Sequence, residues 1–251
     1  MWHSSGGLGS SKRWCCSIFL MKPTLYSFWR SSAAFRVRIV LNLKGIDYDI
    51  IPVHLRKGGG EQLKEPYQSL NPNGLVPLLI DDGVALHQSS AIIEYLEEKY
   101  PKPALLPTKL EDRAWVRALA QDIAADIHPI NNLRVLRYLV GQLGISEESR
   151  SIWYNYWVKK GLISLETRLS KDPRVGQFCY GDQPGIADAF LVPQVFNAYD
   201  AKILFGDFPT VHRIVENCMM LPAFINASWE KQIDAEGTNP QATLDSSTTA
   251  K

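Results

Sequence analysis

The chain changes periodicity part-way along, and that change limits what it can fold into. From Pro23 to Lys99, short apolar runs that read as strands alternate with runs of helical spacing; beyond Lys109 only helical spacing remains. Alternation of this kind calls for a βαβ unit on a small sheet, and the later helices must form their own layer. Strands are expected at Pro23–Ser27, Asp47–Val53, Pro77–Asp81 and Val84–His87. Helices are expected at Ser32–Lys44, Glu61–Ser69 and Ser89–Lys99, with a Gly-rich loop at Gly58–Gly60. In the first helix Val37, Val40 and Leu41 fall at i, i+3, i+4 as one buried stripe, and Gly45 is a natural stop. The Val84 strand closes the unit as an added hairpin. Tyr100–Lys109 holds three prolines and reads as a linker, and helical spacing resumes over 110–127, 130–143, 146–170, 187–201 and 208–230. The fold class is therefore α/β plus all-α, with one domain at 22–100 and an all-helical one at 110–230. Residues 231–251 are polar and Ser/Thr-rich, and are expected to be a disordered tail.

A chain of 251 residues has ample material for a core, and 45% hydrophobic with 21% charged residues is ordinary for a globular protein. A net charge of +1 makes no case for nucleic acid as a partner. The apolar run Trp14–Met21 is far shorter than the ~20 residues of a membrane span. It also lacks a small-residue cleavage site, so neither a membrane partner nor a signal peptide is expected. Residues 1–21 are Ser-rich, basic and acid-free, and are read as a disordered extension: an organellar presequence, an alternative start or an appended remnant. Cys15, Cys16, Cys179 and Cys218 form neither a disulfide framework nor a metal-ligand spacing. No metal is expected, and a reducing compartment, the cytoplasm, fits best. No acidic residue precedes Asp47, whereas Lys12, Arg13, Lys22, Arg30, Arg36, Arg38 and Lys44 do. An anion-binding N-terminal half has that distribution, and so has chance clustering.

Two helix starts carry the candidate chemistry. After the strand Thr24-Leu25-Tyr26-Ser27, Ser31-Ser32 opens a helix with hydroxyls and free backbone N–H groups. Such a terminus holds anions and lowers the pKa of a neighbouring thiol; a serine there also serves as a plain cap. Further on, the turn Asn71-Pro72-Asn73-Gly74 runs into a strand headed by Pro77, which cannot donate to a ladder. Gln88-Ser89-Ser90 then opens another helix, suited to a second anionic group.

These motifs, in this order, resemble the zeta-class glutathione transferases. The class marker Ser-Ser-Cys-x-x-Arg-Val-Arg-Ile-Ala-Leu is met by Ser31, Ser32, Arg36, Val37, Arg38 and Ile39, with Ala33 in place of the cysteine. The likeness continues through Leu-Lys-Gly-Ile-Asp-Tyr (43–48), Leu-Asn-Pro (70–72), Val-Pro (76–77) and His-Gln-Ser (87–89). Ala-Ile-Ile-Glu-Tyr-Leu-Glu-Glu (91–98), Asn-Leu-Arg-Val-Leu (132–136) and Leu-Val-Pro-Gln-Val (191–195) extend it, so that it covers roughly residues 22 to 230.

The resemblance implies a thioredoxin-like first domain, an all-helical second one, a homodimer, and glutathione as cofactor beside a small-molecule substrate. It assigns the γ-glutamyl end to Gln88 and Ser89, the cysteinyl unit to the backbone of Val76 beside a cis Pro77, and the glycyl end to Gln62. Ser31, with the N–H groups of Ser32 and Ala33, would face the sulfur, and His128 would reach glutathione from the second domain. Arg36 stands one turn after Ser31: a solvated residue by helix pattern alone, but placed by the marker among the catalytic residues with Ser31 and Ser32. The implied reaction is isomerisation of maleylacetoacetate to fumarylacetoacetate in tyrosine catabolism, by reversible addition of the glutathione thiolate across the cis double bond. Three positions depart from the class pattern. Ala33 replaces the cysteine, His128 stands where a glutamine is usual, and Asp200 stands where an arginine for the substrate carboxylate is usual, with Lys202 nearby. Two alternatives remain open: a conjugating, peroxidase or dehalogenating transferase, and a non-catalytic glutathione-binding module. The lack of a Cys-x-x-Cys motif disfavours a thioltransferase.

Overall fold

The computed structural model describes residues 22–236. Its first half holds β1 (Thr24–Ser27), α1 (Ser32–Leu43), β2 (Asp49–Pro52), α2 (Tyr67–Leu70), β3 (Leu78–Asp81), β4 (Val84–His87) and α3 (Ser89–Lys99). The sheet runs β2-β1-β3-β4, with β1 parallel to β2 and antiparallel to β3, and β3 antiparallel to β4. This is the thioredoxin-like βαβ plus hairpin. The hairpin is closed by Asp82 (φ 48°) and Gly83 (φ 78°), a two-residue turn whose positive φ values match the strand twist.

Helix α1 is capped at both ends by its own sequence. The Ser31 hydroxyl accepts from the Ala34 N–H at 3.2 Å. At the other end Gly45 takes φ 64°, donating to Asn42 O (3.1 Å), while Ile46 N–H reaches Leu41 O (2.9 Å), a Schellman closure. The expected helix 61–69 is corrected. A 3₁₀ turn at Glu61–Leu63 and the short α2 stand in its place, with Pro66, which cannot donate a backbone hydrogen bond, between them.

The second half contains helices throughout: α4 (Leu110–Gln121), α5 (His128–Ile130), α6 (Leu133–Gly141), α7 (Glu147–Leu169), α8 (Ile186–Asp200), α9 (Pro209–Met219) and α10 (Pro222–Ile225). Two of the expected helices are subdivided. The first passes into a π-helical turn, Asp122–Ile127, ahead of α5. The last breaks after Met219 into α9, α10 and a 3₁₀ turn at Trp229–Lys231.

One core serves both halves: Phe35, Val37 and Val40 of α1 and Ile92 and Leu96 of α3 belong with Phe190, Leu191 and Val195 of α8. The linker is pinned by a buried charge pair. Lys44 Nζ meets Glu97 Oε2 at 2.7 Å and donates to the carbonyls of Tyr100 and Pro103. Glu97 in turn accepts from the N–H groups of Leu105 and Leu106. Arg38, fully buried, donates to Ala227 O (2.9 Å), Ser27 Oγ (2.9 Å) and Trp29 O (3.1 Å) and so ties the two halves together.

Of the expected tail, residues 231–236 are described, and they lie against the first half. Trp29 N–H donates to Asp234 Oδ2 at 3.0 Å, and the His54 ring meets Glu236 at 2.8 Å. The remainder of that segment, and the extension 1–21, lie outside the described residues. Among the described residues no helix is long and apolar enough to cross a membrane.

Candidate functional site

A cleft of about 1340 Å³ opens between the N-termini of α1 and α3 on one side and the helices α4 to α8 on the other. Ser31, Ser32, Ala33, Arg36, Gln62, Val76, Gln88, Ser89 and His128 all line it. The fold therefore brings together every residue singled out from sequence, although they are spread over both halves of the chain.

Each gets there for a local reason. Ser31 caps α1 with a hydroxyl lone pair, which leaves its O–H free to donate. Ser32 is buried, and its hydroxyl accepts from Asn197 Nδ2 of α8 at 2.7 Å. Val76 is buried and joined to Pro77 by a cis peptide bond; among the described residues no backbone hydrogen bond engages its N–H or C=O. Gln88 precedes α3 with φ 69°, which turns the chain so that Ser89 opens the helix inside the cleft. Gln62 is 6% exposed, not a surface helix residue, and its Oε1 is buried without a partner.

Arg36 differs most from its helical pattern. It is 2% exposed, its Nη1 donates to Ser89 Oγ at 3.3 Å, and its guanidinium lies 4.8 Å from the Phe190 ring centroid. Its Nε and Nη2 have no partner, and burial pushes its pKa down to about 9, so it is still charged at neutral pH. A buried cation with free donors is costly unless an anion completes it. His128 packs half-buried on the opposite wall. Burial first, then the charges of Arg36 and Arg134, push its pKa down to about 3 and keep it neutral.

The cleft is basic. Arg30, Arg36, Arg56, Arg134, Arg137, Arg150 and Lys202 line it against two carboxylates, Glu147 and Asp200, an imbalance that attracts anions. The sequence reading missed Arg134, Arg137 and Arg150 as cleft residues. The i, i+3 spacing of Arg134 and Arg137 on α6 was the available signal, and a cationic pair at that spacing usually marks a solvated face. Asp200 is not free: it pairs with Arg30. Tyr26 is half-buried beside Tyr67 (5.7 Å between rings) and does not line the cleft.

These features fit glutathione. The buried, unsatisfied Arg36 beside Ser89 at a helix terminus suits a carboxylate, the free backbone of Val76 a peptide, and Ser31 with the α1 terminus a thiolate. A family model described as "Glutathione S-transferase, N-terminal domain" matches residues 25–104. A probable maleylacetoacetate isomerase of Vibrio cholerae is 47% identical over 216 residues, 86% of this chain and 100% of that protein. The chain belongs to the glutathione transferase family, in its zeta class. Among solved structures, a holo maleylpyruvate isomerase, described as a bacterial zeta-class glutathione S-transferase, is 43% identical (TM-score 0.81, 85% of this chain and 100% of that one). The maleylacetoacetate isomerase of Methylobacterium extorquens, with bound malonate and glutathione, is 40% identical (TM-score 0.82, 85% and 100%).

Proposed function

We propose that the protein is a glutathione-dependent cis–trans isomerase that converts maleylacetoacetate to fumarylacetoacetate. The observation that carries this reading is the convergence, in one basic cleft, of the Ser31 terminus of α1 with the Arg36–Ser89 pair at α3. Arg36 and Ser89 hold the γ-glutamyl carboxylate, Val76 the peptide, and Gln62 the glycyl end. When bound, glutathione supplies a nucleophilic thiolate whose reversible addition to a conjugated cis double bond allows rotation to trans. Ser31 donates its O–H toward the sulfur, and the N–H groups of Ser32 and Ala33 add the field of the helix terminus. Asn197 fixes the Ser32 hydroxyl and so aligns that terminus with α8. His128, neutral, closes the far wall without adding a charge. The surrounding cations orient an anionic keto acid over the site.

The enzyme acts in tyrosine catabolism, as a cytoplasmic homodimer. Cys179 and Cys218 are free and buried, which suits a reducing compartment. Sedimentation at micromolar concentration checks the dimer, and a single species of monomer mass would refute it. The function is tested by following isomerisation of maleylacetone with and without glutathione. Glutathione-dependent turnover supports the reading. Glutathione binding without isomerase turnover assigns the cleft to conjugation, peroxidase or dehalogenation chemistry or to a non-catalytic glutathione-binding module, and absence of glutathione binding refutes the reading.

A further inference from the structure

One ion pair shapes the outer wall of the cleft. Arg30, between β1 and α1, donates Nη2 to Asp200 at the C-terminal end of α8, and its guanidinium lies 5.1 Å from the Trp229 ring centroid. Both side chains line the cavity and both remain accessible, at 25% and 50% exposure, so a ligand can compete for either. Glu147, the other carboxylate lining the cleft, is engaged by Arg150 at 2.8 Å. Among the described residues Arg56, Arg134 and Lys202 have no carboxylate partner. Asp200 is thus the acidic group that a second ligand carboxylate meets at this wall, and it already holds a cation.

We infer that Asp200 is a specificity-determining residue: as the counter-ion of Arg30 it withholds that guanidinium from a second substrate carboxylate and opposes that carboxylate with its own charge. The preference of a cation-rich cleft for a two-carboxylate keto acid over a single-carboxylate one is thereby reduced. The inference rests on the reading of the cleft as a site for an unsaturated keto acid beside glutathione. Its energetics are modest, because the pair is solvent-exposed. Freeing a guanidinium and removing a like charge a few ångströms away is worth about fivefold in affinity at low salt.

The test compares kcat/KM for maleylacetoacetate, with two carboxylates, and maleylacetone, with one, in wild type, Asp200→Asn, Asp200→Glu and Asp200→Asn/Arg30→Gln. Asp200→Asn should raise the two-to-one-carboxylate ratio about fivefold, chiefly through KM, and the gain should shrink at high ionic strength. Asp200→Glu, which keeps the charge, should hold the wild-type ratio, and the double variant should lose the gain. An unchanged ratio in Asp200→Asn, or a gain that survives Arg30→Gln, overturns the inference. Calorimetry on glutathione-loaded protein with fumarate and crotonate, a dicarboxylate and a monocarboxylate, reads the same ratio independently of turnover. If wild type turns over neither keto acid, the isomerase reading fails. The fumarate-to-crotonate ratio in Asp200→Asn then still decides the role of Asp200.

Discussion

Asn197 of α8 donates its side-chain amide to the Ser32 hydroxyl at 2.7 Å across 165 residues of sequence. The N-terminus of α1, to which the proposed function assigns the thiolate, is thereby fixed from the second half of the chain. Arg38, two turns along α1, makes the deeper version of the same connection through Ala227 O. Site and interface between the halves are built on one helix.

Arg38→Leu should therefore unfold the protein more easily without touching the cleft chemistry directly. The replacement leaves the carbonyls of Ala227 and Trp29 and the Ser27 hydroxyl buried without their donor. Leaving buried neutral acceptors without their donor costs about 1–3 kcal/mol. Urea unfolding measures it; a loss of under about 1 kcal/mol, the level of an ordinary surface change, would mean that water replaces the guanidinium.

The strands, most helices and the two helix termini were legible because each depends on local chemistry: alternation, and Ser and Gly at helix ends; the helix expected over 61–69 was not, because Pro66 divides it. Arg36 and Arg38 were not legible as buried residues. An arginine on a helix reads as solvated unless its partners are known, and those partners, Ser89 and Ala227, are distant in sequence. The packing of Asp234 and Glu236 on Trp29 and His54 was hidden for the same reason, in a stretch whose composition reads as tail. The π-turn ahead of His128 had no local signal either; it packs closely on α7, where a Cβ on Gly161 would come within 2.4 Å of the Ile127 side chain, so glycine there allows the approach.

Ser89→Ala should weaken glutathione binding more than Gln62→Ala does. Ser89 opens an eleven-residue helix and accepts from Arg36, so its loss disturbs both the terminus and the buried cation. Gln62 makes no hydrogen bond through its Oε1. Calorimetry with each variant should show the difference, and equal affinities would remove the anion-at-terminus argument.

Ser31→Ala should lower glutathione-dependent turnover, whereas Tyr26→Phe should leave it nearly unchanged. Ser31 lines the cleft at the start of α1, and Tyr26 packs on Tyr67 away from it. Losing one donor to developing charge costs about 10²–10³ in rate in a dry site, and less in an open one. The bound thiol pKa should rise in Ser31→Ala, moving activity to higher pH. Ultraviolet titration of the bound thiolate decides between the two; a larger rise in Tyr26→Phe would transfer the role to the tyrosine.

His128 should make stability fall as pH falls, through a window that an exposed histidine would not create. Burial, Arg36 and Arg134 lower its pKa from 6.5 to about 3 in the folded protein, and the unfolded chain regains the ordinary value. Between those values the unfolded chain binds a proton that the folded one does not. The contribution of the neutral ring is therefore complete above the unfolded value and is lost progressively as pH drops toward 3. The charges facing the ring, Arg36 from α1 and Arg134 from α6, are cationic at every pH in this window, so neither offsets the loss. His128→Gln keeps a polar side chain that cannot be protonated, and should flatten the decline. Urea midpoints for both proteins at two values, one above and one well below the usual histidine range, give the slopes. Parallel slopes would mean that the ring charges inside the fold, and would reopen His128 as an anion-binding group in the cleft.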